Sequence, residues 1–258
     1  MTNVTDSETT DKRPPLRRLL SSPSFVALFA ANALSFGGEQ MRFAAQSWWI
    51  LDEGGSKTEM GLAAGLRFIP VVIITLYAGV MIDRFGGKRM MILEMVILIF
   101  LAIITAAILL FDQVEIWHVV VLSTLAGSTI ALGKPAQITM VAKVVPKDIL
   151  QPANSMDTLG TALGQTLGPL LAGILIAAKS AALALFGLAV VYALSLIAVF
   201  GIRVKHTPVG KTGSAIIEIL DGLRYIAKTP VLKWTLTTSS SVVFFGMVFP
   251  VLPVYARE

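Results

Sequence analysis

Glu39 and Arg42 sit three residues apart near the middle of a long apolar run at residues 25–51, and Arg67 lies inside a second run at 60–82. A charge at the centre of a membrane helix costs about 2.5–3.5 kcal/mol on insertion scales, so such groups face a partner or a wet cavity. Glu39 and Arg42, at i and i+3, can share one helix face. A Glu39–Arg67 pair is also within reach, because a short loop joins the two runs. Two chemistries are open for Glu39. A fixed ion pair would order the helices, whereas a carboxylate that changes partner between two conformations could load and release a proton. Asn32, Gln46, Lys134, Gln137 and Gln165 also lie in apolar runs. They are candidates for a cavity lining, with hydrogen bonding between helices as the plainer role. Lys134 could instead snorkel towards lipid headgroups.

The segment Gly79-Val80-Met81-Ile82-Asp83-Arg84-Phe85-Gly86-Gly87-Lys88-Arg89 reads as a tight basic turn. Gly86 and Gly87 permit positive φ. Gly79 would let a neighbouring helix come close. Asp83, at a helix end, can pair with Arg84 or Lys88 or meet another helix N-terminus. Glu94 and Asp157 are further acidic partners for this turn. Gly160, Gly164 and Gly168 share one helix face, followed by Pro169 and Gly173. Small residues at this spacing allow close helix packing, and a proline loosens the helix ladder, so the segment could also serve as a hinge.

These residues need helices to position them, and the composition says what kind. Hydrophobic residues make up 55% of the 258-residue chain and charged residues 14%, against about 25% charged in ordinary soluble domains. Mean hydropathy is +0.77. This excludes a disordered chain, a nucleic-acid-binding arm and a typical soluble enzyme. The absence of Cys excludes a disulfide scaffold. A membrane helix needs about 20 mostly apolar residues. Seven stretches qualify, at 25–51, 60–82, 90–111, 116–141, 158–178, 181–202 and 232–255. Arg17-Arg18 ahead of an apolar run and Ala31-Asn32-Ala33 imitate a signal peptide. The run continues to 51 and six more follow, so the first helix is read as uncleaved. Trp48, Trp49 and Trp117, near span ends, read as interfacial anchors.

With the N-terminus inside, 15 Lys and Arg residues fall on the inner connections and three (Lys57, Lys179 and Arg257) on the outer ones. That bias sets a cytoplasmic N-terminus in a multi-pass protein of the inner (plasma) membrane. It also accounts for the net charge of +5 without nucleic acid. The expected organisation is a cytoplasmic tail at 1–22, a six-helix transmembrane half at 23–203, a cytoplasmic linker with an amphipathic helix at 204–230, and one further helix at 231–258. Gly65 and Pro70 in span two recur as Gly164 and Pro169 in span five, the mark of related three-helix triplets. With two His, no Cys and no G-x4-G-K-[ST] segment, no metal site, cofactor, catalytic arrangement or ATP site is expected.

The 79–89 turn resembles motif A of the major facilitator superfamily, G-x-L-a-D-r-x-G-r-k. Gly79, Asp83, Arg84, Gly86 and Lys88 match; Met81 replaces the Leu, Gly87 replaces a basic residue, and Arg89 follows. The Gly164–Gly173 segment resembles the span-five motif of drug–proton antiporters, with Ala172 in place of a Gly. Pro135-Ala136, Val145-Pro146, Ala153-Asn154, Gly222-Leu223-Arg224-Tyr225 and Leu252-Pro253-Val254-Tyr255 are similar to a branch containing enterobactin-type siderophore exporters and macrolide efflux pumps. The resemblance covers residues 20–258. It implies an all-α polytopic membrane protein: a major facilitator six-helix N-terminal bundle plus a seventh transmembrane helix. It also implies proton-coupled efflux of a small amphiphilic compound (a siderophore, macrolide or other drug) by alternating access, with the 79–89 turn as a latch. Glu39, Arg42 and Arg67 become the proton-coupling candidates. Many antiporters carry an Arg at mid-depth in span four; this chain has only Lys134, nearer the inner end. Alternatives are a non-transporting scaffold or sensor, an inactive truncated product, and an importer of a polar solute. The family builds its substrate path between two six-helix halves, so a missing C-terminal half is expected.

Overall fold

The computed structural model describes residues 13–204 except 67, 111–113 and 179–180, together with 224, 228–232, 234–235 and 238. Arg67, the amphipathic pattern of the linker and most of the expected seventh span lie outside the described residues. Every regular element among the described residues is helical.

A short α1 (Pro15–Leu20) leads into α2 (Pro23–Asp52), a 30-residue helix. Ser22 caps α2 by accepting from the Phe25 N–H at 3.4 Å, and Pro23 occupies the first turn, where its missing N–H costs nothing. α3 (Lys57–Leu66) and α4 (Phe68–Phe85) are described on either side of residue 67 and together cover the span expected at 60–82. Ser56 and Glu59 form a reciprocal cap on α3. The Ser56 N–H donates to Glu59 Oε2 at 2.7 Å, and the Glu59 N–H donates to Ser56 Oγ at 3.2 Å. These bonds hold the Glu59 carboxyl below its ordinary value. α5 (Gly87–Ile108) follows α4 through Gly86, whose φ of 89° only glycine adopts without strain.

α6 (Ile116–Val144) contains Pro135, and a 3-10 turn (Lys147–Ile149) joins it to α7 (Leu150–Ala178), which contains Pro169. α7 begins eight residues before the span read at 158–178, because its polar first turns pack at the bundle end with Ile149 and Ala153 buried. α8 (Ala181–Gly201) completes the bundle. Among the described residues, four segments are long and apolar enough to cross a membrane: Gly87–Ile108, Ile116–Val144, Lys147–Ala178 and Ala181–Gly201. The structure and the family assignment below make this an all-α polytopic membrane protein.

α2 packs along α7 and α8; α5 lies between α8 and α6, and α6 holds α4. Apolar side chains form three layers along the bundle. One end gathers Leu19, Phe25, Met90, Met140, Ile149 and Ile202. The middle holds Met41, Met95, Leu98, Leu188 and Tyr192. The other end holds Trp49, Ile50 and Val119. Trp49 is therefore a packed core residue rather than the interfacial anchor expected, whereas Trp48 and Trp117 are exposed.

Lipid is as apolar as leucine, so close van der Waals fit must hold such helices together. The α2–α7 seam shows how. A Cβ on Gly164 would lie 2.8 Å from Gly37 N and 2.9 Å from Ala33 O, and one on Gly160 would lie 2.8 Å from the Phe29 ring. Gly168 faces the same backbone at Gly37. Gly173 does not belong to this seam. It is exposed, and no atom lies within 4 Å of where its Cβ would be. Gly79 likewise has open space around it, so no neighbouring helix among the described residues uses its missing side chain.

Two outcomes follow. Gly164→Leu should destabilise the detergent-solubilised protein by about 1–3 kcal/mol through overpacking against backbone. Gly173→Ala should be neutral or stabilise by up to about 1 kcal/mol. Thermal unfolding of both variants checks this, and equal losses would contradict the assigned seam. At α3, a lowered folded-state pKa adds stability above the unfolded value that disappears as pH falls through the folded value. Hydrogen-exchange protection in the first turn of α3, measured relative to the intrinsic rate at each pH, should therefore fall on acidification. Ser56→Ala, which keeps the backbone N–H bond but loses the hydroxyl, should weaken that dependence.

Candidate functional site

Asn32, Ser35, Glu39, Arg42 and Gln46 recur along α2 at alternating three- and four-residue intervals, which places them on one stripe. Four of them are buried, and Glu39 is partly so. The stripe is joined by hydrogen bonds. Arg42 grips Glu39 with two: Nη2 donates to Oε1 at 2.5 Å and Nε to Oε2 at 3.0 Å. Arg42 Nη1 donates to Gln46 Oε1 at 2.9 Å, and Ser123 Oγ on α6 donates to the same oxygen at 2.7 Å. A continuous polar chain thus runs from Glu39 through Arg42 and Gln46 into α6. Lower on the stripe, Asn32 Nδ2 donates to Asp157 Oδ1 on α7 at 2.6 Å.

Two further polar groups face this region. The Tyr192 ring of α8 packs on Gly38, where a Cβ would lie 2.6 Å from it. Glu94 of α5 is 3% exposed and is pressed against Gly133 of α6. Its Oε2 has no hydrogen-bond partner among the described residues. A void of about 10 Å³ adjoins Arg42 and Gln46, space for at most one water.

The candidate residues separate into three groups. Glu39 pairs with Arg42, and the alternative partner Arg67 is outside the described residues. Asn32, Gln46 and Gln137 are buried among the helices of the bundle, with Asn32 and Gln46 in hydrogen bonds between helices. Lys134, Gln165 and Pro169 are exposed on the bundle surface. Glu94 and Asp157 do not pair with the basic turn. Glu94 is buried well inside α5, and Asp157 is taken by Asn32. Spacing in α2 already contained the stripe. Its links to Ser123 and Asp157 and its contact with Tyr192 depend on how α6, α7 and α8 pack, which no local pattern carried.

In the 79–89 turn, Lys88 does not bind Asp83. Its Nζ donates to the carbonyls of Ile202 at 2.6 Å and Phe200 at 3.1 Å, capping the C-terminal end of α8. Asp83, Arg84 and Arg89 are exposed, and Gly86 and Gly87 are buried in the turn. At the same end of the bundle, Arg18 Nη1 meets Asp148 Oδ2 at 2.5 Å, tying α1 to the 3-10 turn.

The arrangement predicts a coupled pair. Arg42→Met leaves the Glu39 carboxylate without its main cation and should cost about 3–5 kcal/mol. Adding Glu39→Gln should recover part of that loss. Unfolding in mixed micelles measures both, and strictly additive losses would show that the two residues do not act together.

Comparison with known proteins agrees with this architecture. Residues 28–258 match the family described as Major Facilitator Superfamily. The multidrug efflux pump Tap of Mycolicibacterium fortuitum is 28% identical over 222 residues, covering 82% of this chain and 54% of that protein. The multidrug efflux pump Tap of Mycobacterium tuberculosis (strain ATCC 25618 / H37Rv) is 25% identical over 237 residues, covering 84% and 54%. The staphyloferrin A transporter of Staphylococcus aureus is 20% identical over 187 residues, covering 72% and 47%. The chain spans about half the length of the curated relatives it matches. With the family match running through α2 to α8 and beyond, the chain belongs to the major facilitator superfamily, a family of membrane transporters.

Proposed function

We propose that residues 23–203 act as the six-helix N-terminal half of a secondary active exporter in the cell membrane, with the N-terminus in the cytoplasm. The cargo is a small amphiphilic compound, and proton entry drives its exit. The single observation that carries this reading is the two-pronged Glu39–Arg42 pair, linked through Gln46 to Ser123 on α6. Relatives named as multidrug efflux pumps and a staphyloferrin A transporter support the direction and the class of cargo.

The pair links protonation to helix contacts. A proton on Glu39 removes the negative charge that holds Arg42, leaving the amide oxygen of Gln46 as an acceptor it shares with Ser123. Any movement of Arg42 is then felt at the α2–α6 contact. The 79–89 turn serves as the latch, with Lys88 fastening α5 to the end of α8. The glycine seam about Gly164, with Pro169 beyond it, lets α7 shift against α2 as a hinge. Lys134 and Gln165, exposed on the bundle surface, face the substrate path formed with a second helical half.

The test is reconstitution of the protein together with the second helical half that completes its substrate path, in vesicles with an imposed pH gradient and a fluorescent amphiphilic dye. Wild type should move dye only when the gradient is present. Glu39→Gln keeps an oxygen acceptor for Arg42 but cannot carry the same proton. A monodisperse preparation of it should fall to the protein-free background. Gradient-driven transport at the wild-type rate in that variant would refute Glu39 coupling, and no transport by wild type would refute the exporter reading.

A further inference from the structure

A cavity of about 400 Å³ opens at the end of the bundle where α4 turns into α5. It lies among the first turn of α5, the last turns of α6 and the end of α8. Its lining combines two kinds of side chain. Lys88, Arg89 and Lys143 supply three cations, and Phe85 and Phe200 supply apolar walls that are 48% and 59% exposed. Lys88 is fixed by its two bonds to α8 carbonyls, which position its charge at the cavity. Arg89 and Lys143 have no ion-pair partner among the described residues.

The backbone adds a second feature. α5 is 22 residues long, and Gly86, at the position just before it, offers no side-chain cap. The N–H groups of its first turn therefore lack intrahelical acceptors, and the helix dipole places positive potential at the same spot. Gly86 and Gly87 line the cavity, so an anion there approaches the backbone without a side chain in the way. Convergent cations, free N–H donors and an open helix N-terminus suit a phosphate; the flanking aromatic faces suit acyl chains. The position at the end of membrane-spanning helices puts the cavity at headgroup depth.

We propose that this cavity binds the headgroup phosphate of an anionic phospholipid such as phosphatidylglycerol, with Arg89 and Lys143 as its principal cations. Basic pockets between transmembrane helices are suited to such headgroups, and each Lys or Arg near an anionic surface adds roughly a factor of five in affinity. The inference does not rest on the exporter reading.

The test uses the full chain in nanodiscs of phosphatidylcholine alone or mixed with phosphatidylglycerol, followed by native mass spectrometry of the lipids it retains. Wild type should retain phosphatidylglycerol in preference to phosphatidylcholine. Arg89→Gln with Lys143→Gln should weaken that retention on the order of thirty-fold. Lys147→Gln, an exposed cation outside the cavity lining, should leave it unchanged and so separate a site from general charge. Both side chains are at the surface, and unaltered melting of the double variant confirms its fold. No preference in wild type, or equal retention by the double variant, overturns the proposal. Soluble glycerol phosphate that displaces the lipid fully at equal concentration shows a free-phosphate site instead and overturns the lipid assignment.

Discussion

A guanidinium that is 4% exposed in the middle of a helical bundle has to find its hydrogen-bond acceptors within the protein, since surrounding lipid offers none. Arg42 imposes that condition on its neighbours. Two of its contacts go to Glu39, one turn away, and one to Gln46, one turn further on, so α2 itself supplies the acceptors. Gln46 then receives a bond from Ser123, which fixes where α6 must lie against α2. Tyr192 reaches the same level only because Gly38 leaves room for its ring.

Close approach between helices is the second requirement. Lipid provides little hydrophobic drive for association, so contact has to be made by shape. Gly160, Gly164 and Gly168 bring α7 down onto the backbone of α2, and Gly133 receives the Glu94 side chain. At the end of the bundle, polar bonds add to the apolar layer around Leu19, Met90, Met140 and Ile202. Lys88 closes the end of α8, and Arg18 meets Asp148. The middle of the molecule is thus held by size and by one enclosed charge pair. Its end combines a buried apolar layer with exposed or half-exposed polar contacts that cost less to open.

Much of this was readable from residue types. The positive φ at Gly86 follows from the Gly86-Gly87 doublet in a short basic turn. The i, i+3 spacing of Glu39 and Arg42 allowed their pairing, and the glycine spacing in α7 marked a packing face. The failures have a common cause. Gly173 has the residue type and near-spacing of the seam, but lies on a face that meets no other helix among the described residues. Trp49 has the composition of an interfacial anchor, but α2 turns it inward beside Val119. Asp157 and Glu94 both fall near the inner ends of their spans, which suggested pairing with the basic turn. One is claimed by Asn32, 125 residues earlier in the chain, and the other is sealed against α6.

Composition and apolar run length alone determined that the protein is an all-helical membrane chain, because those features act locally: each helix must satisfy its own backbone in lipid whatever surrounds it. Which polar groups on those helices meet was decided only by tertiary structure. A stripe on α2 can point at lipid, at a cavity or at another helix with the same sequence periodicity. The packing of α6, α7 and α8 around it selects among these, since a side chain's partner depends on distances across the bundle that no single helix contains.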